Sequence, residues 1–170
     1  MNIKTLHLGG LAALAVAFGL GAAHAAEPEF ITVFDAAQDG YPSIRIPAVV
    51  VTKRGEVLAV AEGRAANTDQ AGNDIILKRS ADGGRTWRPV QLLADDGANS
   101  LNNPTAVVEQ KSGRVFLMYQ RIPSHLKEHD SAIQTGYEGT NIYRNFLIWS
   151  DDDGATWTPP LDVTRTTKRP

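Results

Sequence analysis

Cysteine is absent from the 170 residues. No disulfide framework is available, so any exported form has to be held by packing alone. A charge bias is also lacking: 17 Lys and Arg stand against 19 Asp and Glu, a formal net charge of −2. That balance gives no electrostatic footprint for nucleic acid. Aromatic residues make up only 7% of the chain, yet the apolar content of 42% is enough for a globular core. A convincing helical period is missing after the first segment. The length fits one domain.

The first segment reads as a targeting signal. Lys4 gives a positive start, residues 8–22 are apolar, and Ala23-His24-Ala25 is a small-x-small cleavage site. This is the pattern of a secretory signal peptide over 1–25, cut near Ala25, and it predicts a secreted or periplasmic protein. A membrane anchor needs about 20 apolar residues. The run here is shorter, so no membrane span is expected in the mature chain.

What the sequence does have is a repeat. Ser80-Ala81-Asp82-Gly83-Gly84-Arg85-Thr86-Trp87 returns as Ser150-Asp151-Asp152-Asp153-Gly154-Ala155-Thr156-Trp157. Both copies read S-x-D-x-G-x-T-W, and each follows an apolar run. Self-similarity of this kind is the signature of a repeat architecture. An Asp accepting backbone N–H groups and a Gly free to take positive φ make a tight turn. Thr and Trp then start the next strand, with the Trp ring covering the turn. The repeat residues Ser80, Asp82, Gly84, Thr86 and Trp87, with Ser150, Asp152, Gly154, Thr156 and Trp157, are therefore expected to hold the fold.

Around the repeat lie short strand-like runs: 31–34, 43–51 with Pro47 inside, 57–61, 75–80, 90–93, 105–108, 115–119 and 144–150. Residues 62–73 and 95–103 read as polar loops, and 121–143 as a long loop or insertion. Turn signals about every 8–12 residues argue for an all-β chain. With an internal repeat, a β-propeller of four-stranded blades leads, and a β-sandwich is the alternative. A blade takes roughly 40–50 residues, so residues 26–170 supply about two to three. An open arc would expose strand edges, which leads to the expectation that this is the N-terminal part of a longer propeller.

Several residues could carry chemistry. Arg45, in Arg45-Ile46-Pro47, sits on a strand, where a buried guanidinium needs an anionic partner and suits a carboxylate held bidentately. The same triplet recurs at Arg121-Ile122-Pro123, so it means little alone. Arg64 and Asp69 lie in a polar stretch just after an apolar strand, a common place for a site. Arg64 can neutralise an acid, and Asp69 can give or take a proton. Both also fit a solvated loop with a surface ion pair. Asn102-Asn103-Pro104 could line a pocket or form a turn. Asp74 opens a strand and is expected only to cap it. His125-Leu126-Lys127-Glu128-His129 has the H-x-x-E-H spacing of some zinc enzymes, but it lacks the amphipathic helix that spacing needs. No metal site is expected.

Taken in order, these stretches resemble the sialidases (neuraminidases, exo-α-sialidases). Their repeat is the Asp box, or BNR repeat. The resemblance rests on the succession Arg45-Ile46-Pro47, Gly63-Arg64, Asp69, first Asp box, Asn103-Pro104, second Asp box. It implies a six-bladed propeller with the Asp boxes at the periphery. It implies that Arg45 is the first of three arginines gripping the sialic acid carboxylate. Asp69 would be the acid/base, Arg64 a pocket arginine before it, and Asn103 a pocket-lining residue. The substrate implied is a sialylated glycan, and no cofactor is implied. The family's nucleophilic Tyr, its Glu partner and the other two arginines would fall past Pro170. Tyr119, Tyr137 and Tyr143 stand in the wrong part of the order for that role. The alternatives are a non-catalytic Asp-box propeller that binds glycans or proteins, and a propeller glycosidase for another sugar. Oligomeric state is not legible.

Overall fold

A computed structural model of the chain describes residues 29–169. The signal-peptide segment lies outside the described residues. The described residues are all-β, as read: eight strands and two single-turn helices, α1 (Ala36–Asp39) and α2 (Thr164–Thr167). The strands form two antiparallel four-stranded sheets, each in simple up-and-down order. The first contains β1 (Ser43–Val51), β2 (Val57–Arg64), β3 (Asp74–Ser80) and β4 (Gln91–Ala94). The second contains β5 (Ser100–Val108), β6 (Val115–Ile122), β7 (Arg144–Ser150) and β8 (Leu161–Asp162). These are two propeller blades, the lower end of the expected two to three.

Two of the loop readings need correction. Residues 62–64 belong to β2, and residues 100–103 belong to β5. Both stretches are polar, yet Glu62, Arg64, Ser100 and Asn102 are buried. Buried charged and amide groups satisfied by partners elsewhere look like loop in composition alone.

A second repeat emerges at the blade starts. β1 reads S-I-R-I-P and β5 reads S-L-N-N-P. In each, the ladder skips two residues, Ile46-Pro47 and Asn103-Pro104. Proline has no N–H to donate, so pairing breaks there. At each bulge the residue before the proline stands at positive φ, 54° at Ile46 and 55° at Asn103. A β-branched residue rarely tolerates this. The bulges turn both strand starts toward the same end of the sheets.

The two blades pack face to face. Leu58, Val60, Ile75 and Leu77 of the first meet Leu101, Val115, Leu117, Tyr119 and Ile148 of the second. Fully burying one such side chain is worth about 1.5–3 kcal/mol, against about 1 kcal/mol net for a hydrogen bond. The apolar seam therefore dominates stability, and the turns set strand order. The other face of the first blade is covered by the segment before β1. There Lys78 pairs with Asp39 at 2.7 Å, and the Tyr41 ring lies against Gly63.

The two Asp boxes adopt one geometry. Gly84 N–H donates to Ser80 Oγ at 2.8 Å, and Thr86 N–H and Oγ1 donate to the Asp82 carboxylate at 2.9 and 2.6 Å. Trp87 Nε1 closes the turn on the Gly84 carbonyl at 3.0 Å. The second copy repeats this with 2.8 Å for Gly154 N–H, 2.8 and 2.6 Å for Thr156, and 3.1 Å for Trp157 Nε1. It also presses on the first blade: a Cβ on Gly154 would come within 3.0 Å of the Leu58 methyls.

The Thr156 hydroxyl, then its backbone N–H, hold the Asp152 carboxyl down at about 2. A carboxyl depressed on folding contributes stability that is complete above its ordinary value, 3.8 here. The contribution is lost as pH falls toward 2. The expected outcome is that Asp152→Asn flattens the fall in unfolding midpoint between pH 3.8 and about 2. Thermal unfolding at a series of pH values checks it, and an unchanged acid limb would count against the turn's role.

Candidate active site

The candidate site sits where the bulged start of β1, the end of β2 and the start of β5 meet. Its anchor is Glu62, which sequence reading missed. Glu62 is 0% exposed in the middle of the inter-blade seam. Its Oε2 accepts from Arg64 Nε at 2.8 Å and lies 2.6 Å from Arg64 Nη2. Its Oε1 accepts the Asn103 backbone N–H at 2.7 Å, from the other blade. Both carboxylate oxygens are thus occupied, which a buried charge requires.

Arg64 is 1% exposed. Burial works against its charge, but hydrogen bonds to Asp69 and Glu62 outweigh it and hold the guanidinium above its ordinary value. Glu62 grips one edge. Nη1 is left to donate to Asp69 Oδ1 at 2.8 Å and to the Thr68 carbonyl at 3.1 Å. Alternation along β2 puts residues 62 and 64 on one face, which is why the pair can form.

Asp69 crowns the 65–73 loop. Its backbone carbonyl is fixed by Asn73 Nδ2 at 2.7 Å and by Asn102 Nδ2 at 3.1 Å. Its side chain stays 53% exposed, and Arg64 and Arg45 both address Oδ1, Arg45 at 3.6 Å. Oδ2 has no partner among the described residues. The carboxyl is therefore held in place yet open on one side, as a proton donor to a bound molecule has to be.

Arg45 corrects one expectation. It is not buried: its side chain is 52% exposed. The bulge after it lets the guanidinium stand at the rim beside Asp69. Most of its five donors are uncommitted among the described residues, so it can take an incoming carboxylate bidentately.

Asn103 is exposed, donating Nδ2 to Gln120 Oε1 at 3.2 Å. Ile46, Arg64, Asp69, Asn102 and Asn103 line one cleft of about 170 Å³, with Glu128 at its edge. Glu128 arrives from the long 123–143 loop, tied down by its N–H on Gln70 Oε1 at 3.0 Å. Of the four residues singled out in the sequence, Arg64, Asp69 and Asn103 line this cleft, and Arg45 stands beside it through its 3.6 Å contact with Asp69. Asp74 stands apart, accepting from the Tyr41 hydroxyl at 2.8 Å. That is more than a strand cap. The His125–His129 stretch is not helical. His125 Nε2 bonds Asn141 Oδ1, and no metal-ligand cluster occurs among the described residues.

The BNR repeat-like domain family matches residues 55–169. An exo-alpha-sialidase of Arthroderma benhamiae is 32% identical over 141 residues, covering 75% of this chain and 34% of that protein. A sialidase of Micromonospora viridifaciens is 30% identical over 130 residues, covering 71% of this chain and 19% of that protein. This chain belongs to the sialidase family with BNR repeats. Among solved structures, the Hadza microbial sialidase Hz136 superposes with a TM-score of 0.71 at 28% identity, over 79% of this chain and 29% of that one. The chain spans about a third or less of the length of these relatives. The candidate cleft lies at strand ends rather than on the Asp-box turns.

Glu62 was the neighbour that sequence reading passed over, whereas Asn102 was read with Asn103 as an amide that could line a pocket, and it does line the cleft. One signal existed for Glu62: a lone carboxylate directly after the apolar run 57–61 and two residues before an Arg.

Proposed function

We propose that the protein is an exo-α-sialidase, releasing terminal sialic acid from glycoconjugates with retention at the anomeric carbon. The observation that carries this reading is Asp69, held by Arg64 and flanked by the open guanidinium of Arg45. In this reading Arg45 clamps the substrate carboxylate and offsets its charge. Asp69 protonates the leaving glycosidic oxygen and later takes a proton from water. Arg64, locked by Glu62, fixes Asp69 and faces the sugar's hydroxyl side, and Asn103 lines the pocket. Sialidases are exceptions among glycosidases in using a Tyr nucleophile. The physical reason is that the carboxylate attached to the anomeric carbon would repel a carboxylate nucleophile.

Residues 1–25 fit the same reading as an export signal for a secreted or periplasmic enzyme. No helix among the described residues is long and apolar enough to cross a membrane.

The test is release of sialic acid from a fluorogenic sialoside by the protein expressed in its full reading frame. Arg45→Ala is expected to raise KM at least tenfold. Arg45→Lys restores little, because a point charge lacks the planar fork. Hydrolysis that survives Arg45→Ala unchanged would rule out the carboxylate clamp and point to a different sugar.

A further inference from the structure

A second cavity, of about 480 Å³, opens at the seam between the blades, and none of its lining residues belongs to the Arg45–Arg64–Asp69 cleft. Its wall includes Asp95, Asp96, Tyr119, Arg121, Phe146 and Pro160. The size falls within the range of small-molecule sites.

Tyr119 is the unusual member. It is 2% exposed and stacks on Phe146 with ring centroids 5.8 Å apart. Its hydroxyl has no hydrogen-bond partner among the described residues, whereas the Tyr41 hydroxyl is paired with Asp74. The ring is buried, but the hydroxyl opens on the cavity and is free to bond a ligand there. Burial, and then the nearby Asp96 charge, push the Tyr119 phenol up to about 12, so it stays a donor. Two neighbours also keep free capacity. Asp96 takes Arg121 Nε and Asn99 Nδ2 on Oδ2 alone, leaving Oδ1 open. Arg121 gives only its Nε, leaving both terminal nitrogens.

The wall thus offers a phenol, a carboxylate oxygen and a guanidinium edge beside the apolar surface of Phe146 and Pro160. Two carboxylates against one guanidinium disfavour an anionic ligand. A neutral pyranose matches: its hydroxyl rim takes donors and acceptors together, and its C–H face packs on apolar surface. We propose that this seam cavity is an accessory binding site for a neutral sugar, recognised through the Tyr119 hydroxyl, Asp96 and Arg121. The proposal does not depend on the sialidase reading of the other cleft.

Lactose is the probe, titrated into the protein and followed by saturation-transfer NMR and calorimetry. Wild type is expected to bind it, and N-acetylneuraminic acid is expected not to compete. Tyr119→Phe removes one oxygen and keeps the ring stack, so lactose binding should weaken about 3–10-fold, the worth of one hydrogen bond. Arg121→Lys, at a part-exposed position, should weaken it similarly without disturbing the core. Asp69→Ala should leave lactose binding as in wild type. Absence of lactose binding by the folded wild type would overturn the proposal. So would full binding in both Tyr119→Phe and Arg121→Lys, or loss of binding in Asp69→Ala, which would put the sugar in the other cleft.

Discussion

Asp69→Asn is expected to lower kcat for release of sialic acid by about 10²–10⁴, the usual worth of a positioned general acid. The substitution is nearly isosteric. The amide can still accept from Arg64 Nη1, and the backbone carbonyl still takes Asn73 and Asn102, so the loop should keep its place. What is lost is the proton. The loss should depend on the leaving group. A natural sialoside departs as an alkoxide and needs protonation, whereas an aryl sialoside leaves as a stabilised phenolate and needs little. The ratio of the two effects is the diagnostic measurement. If Asn slows both substrates equally, Asp69 acts through structure rather than as the acid. If neither slows, the assignment is wrong.

Glu62→Ala is expected to cost about 3–5 kcal/mol of stability, the penalty for breaking a buried ion pair from one side. A small domain has only about 5–15 kcal/mol in total. Two groups lose their acceptor at once: the Arg64 guanidinium, 1% exposed, and the Asn103 N–H at the bulge. Arg64 keeps only its Nη1 contacts to Asp69 and the Thr68 carbonyl. Glu62→Gln is not a safe isostere. Its amide offers one acceptor where two sets of donors converge, so either Arg64 or Asn103 would face an N–H₂ group. Urea unfolding followed by circular dichroism reads the loss directly, and the folded fraction should show low activity because Arg64 no longer holds Asp69. A cost below about 1 kcal/mol, the scale of an exposed ion pair, would show that the site does not depend on this junction.

The two variants separate two roles that share one cluster. Asp69→Asn alters chemistry and leaves stability nearly constant. Glu62→Ala alters stability first and chemistry as a consequence.

The sequence by itself determined the turns, most of the strands and the order of the site residues. The Asp boxes were legible because their hydrogen bonds join residues only two to four apart. Local chemistry of that kind is written in a short window. The run 144–150 was legible as a strand because apolar β-formers meet an Asp box at its end. The tertiary structure alone decided which polar residues are buried and what they touch. Glu62 reaches Asn103 across 41 positions, and Asn102 reaches Asp69 across 33. Such pairs form only when the second blade packs on the first. Until then, a carboxylate waiting for a partner in another blade and a carboxylate waiting for water have the same composition. That is why 62–64 and 100–103 read as loop, and why Arg45 reads as buried. The bulge at Ile46-Pro47 lifts Arg45 to the rim, and the seam draws Glu62 and Arg64 beneath it.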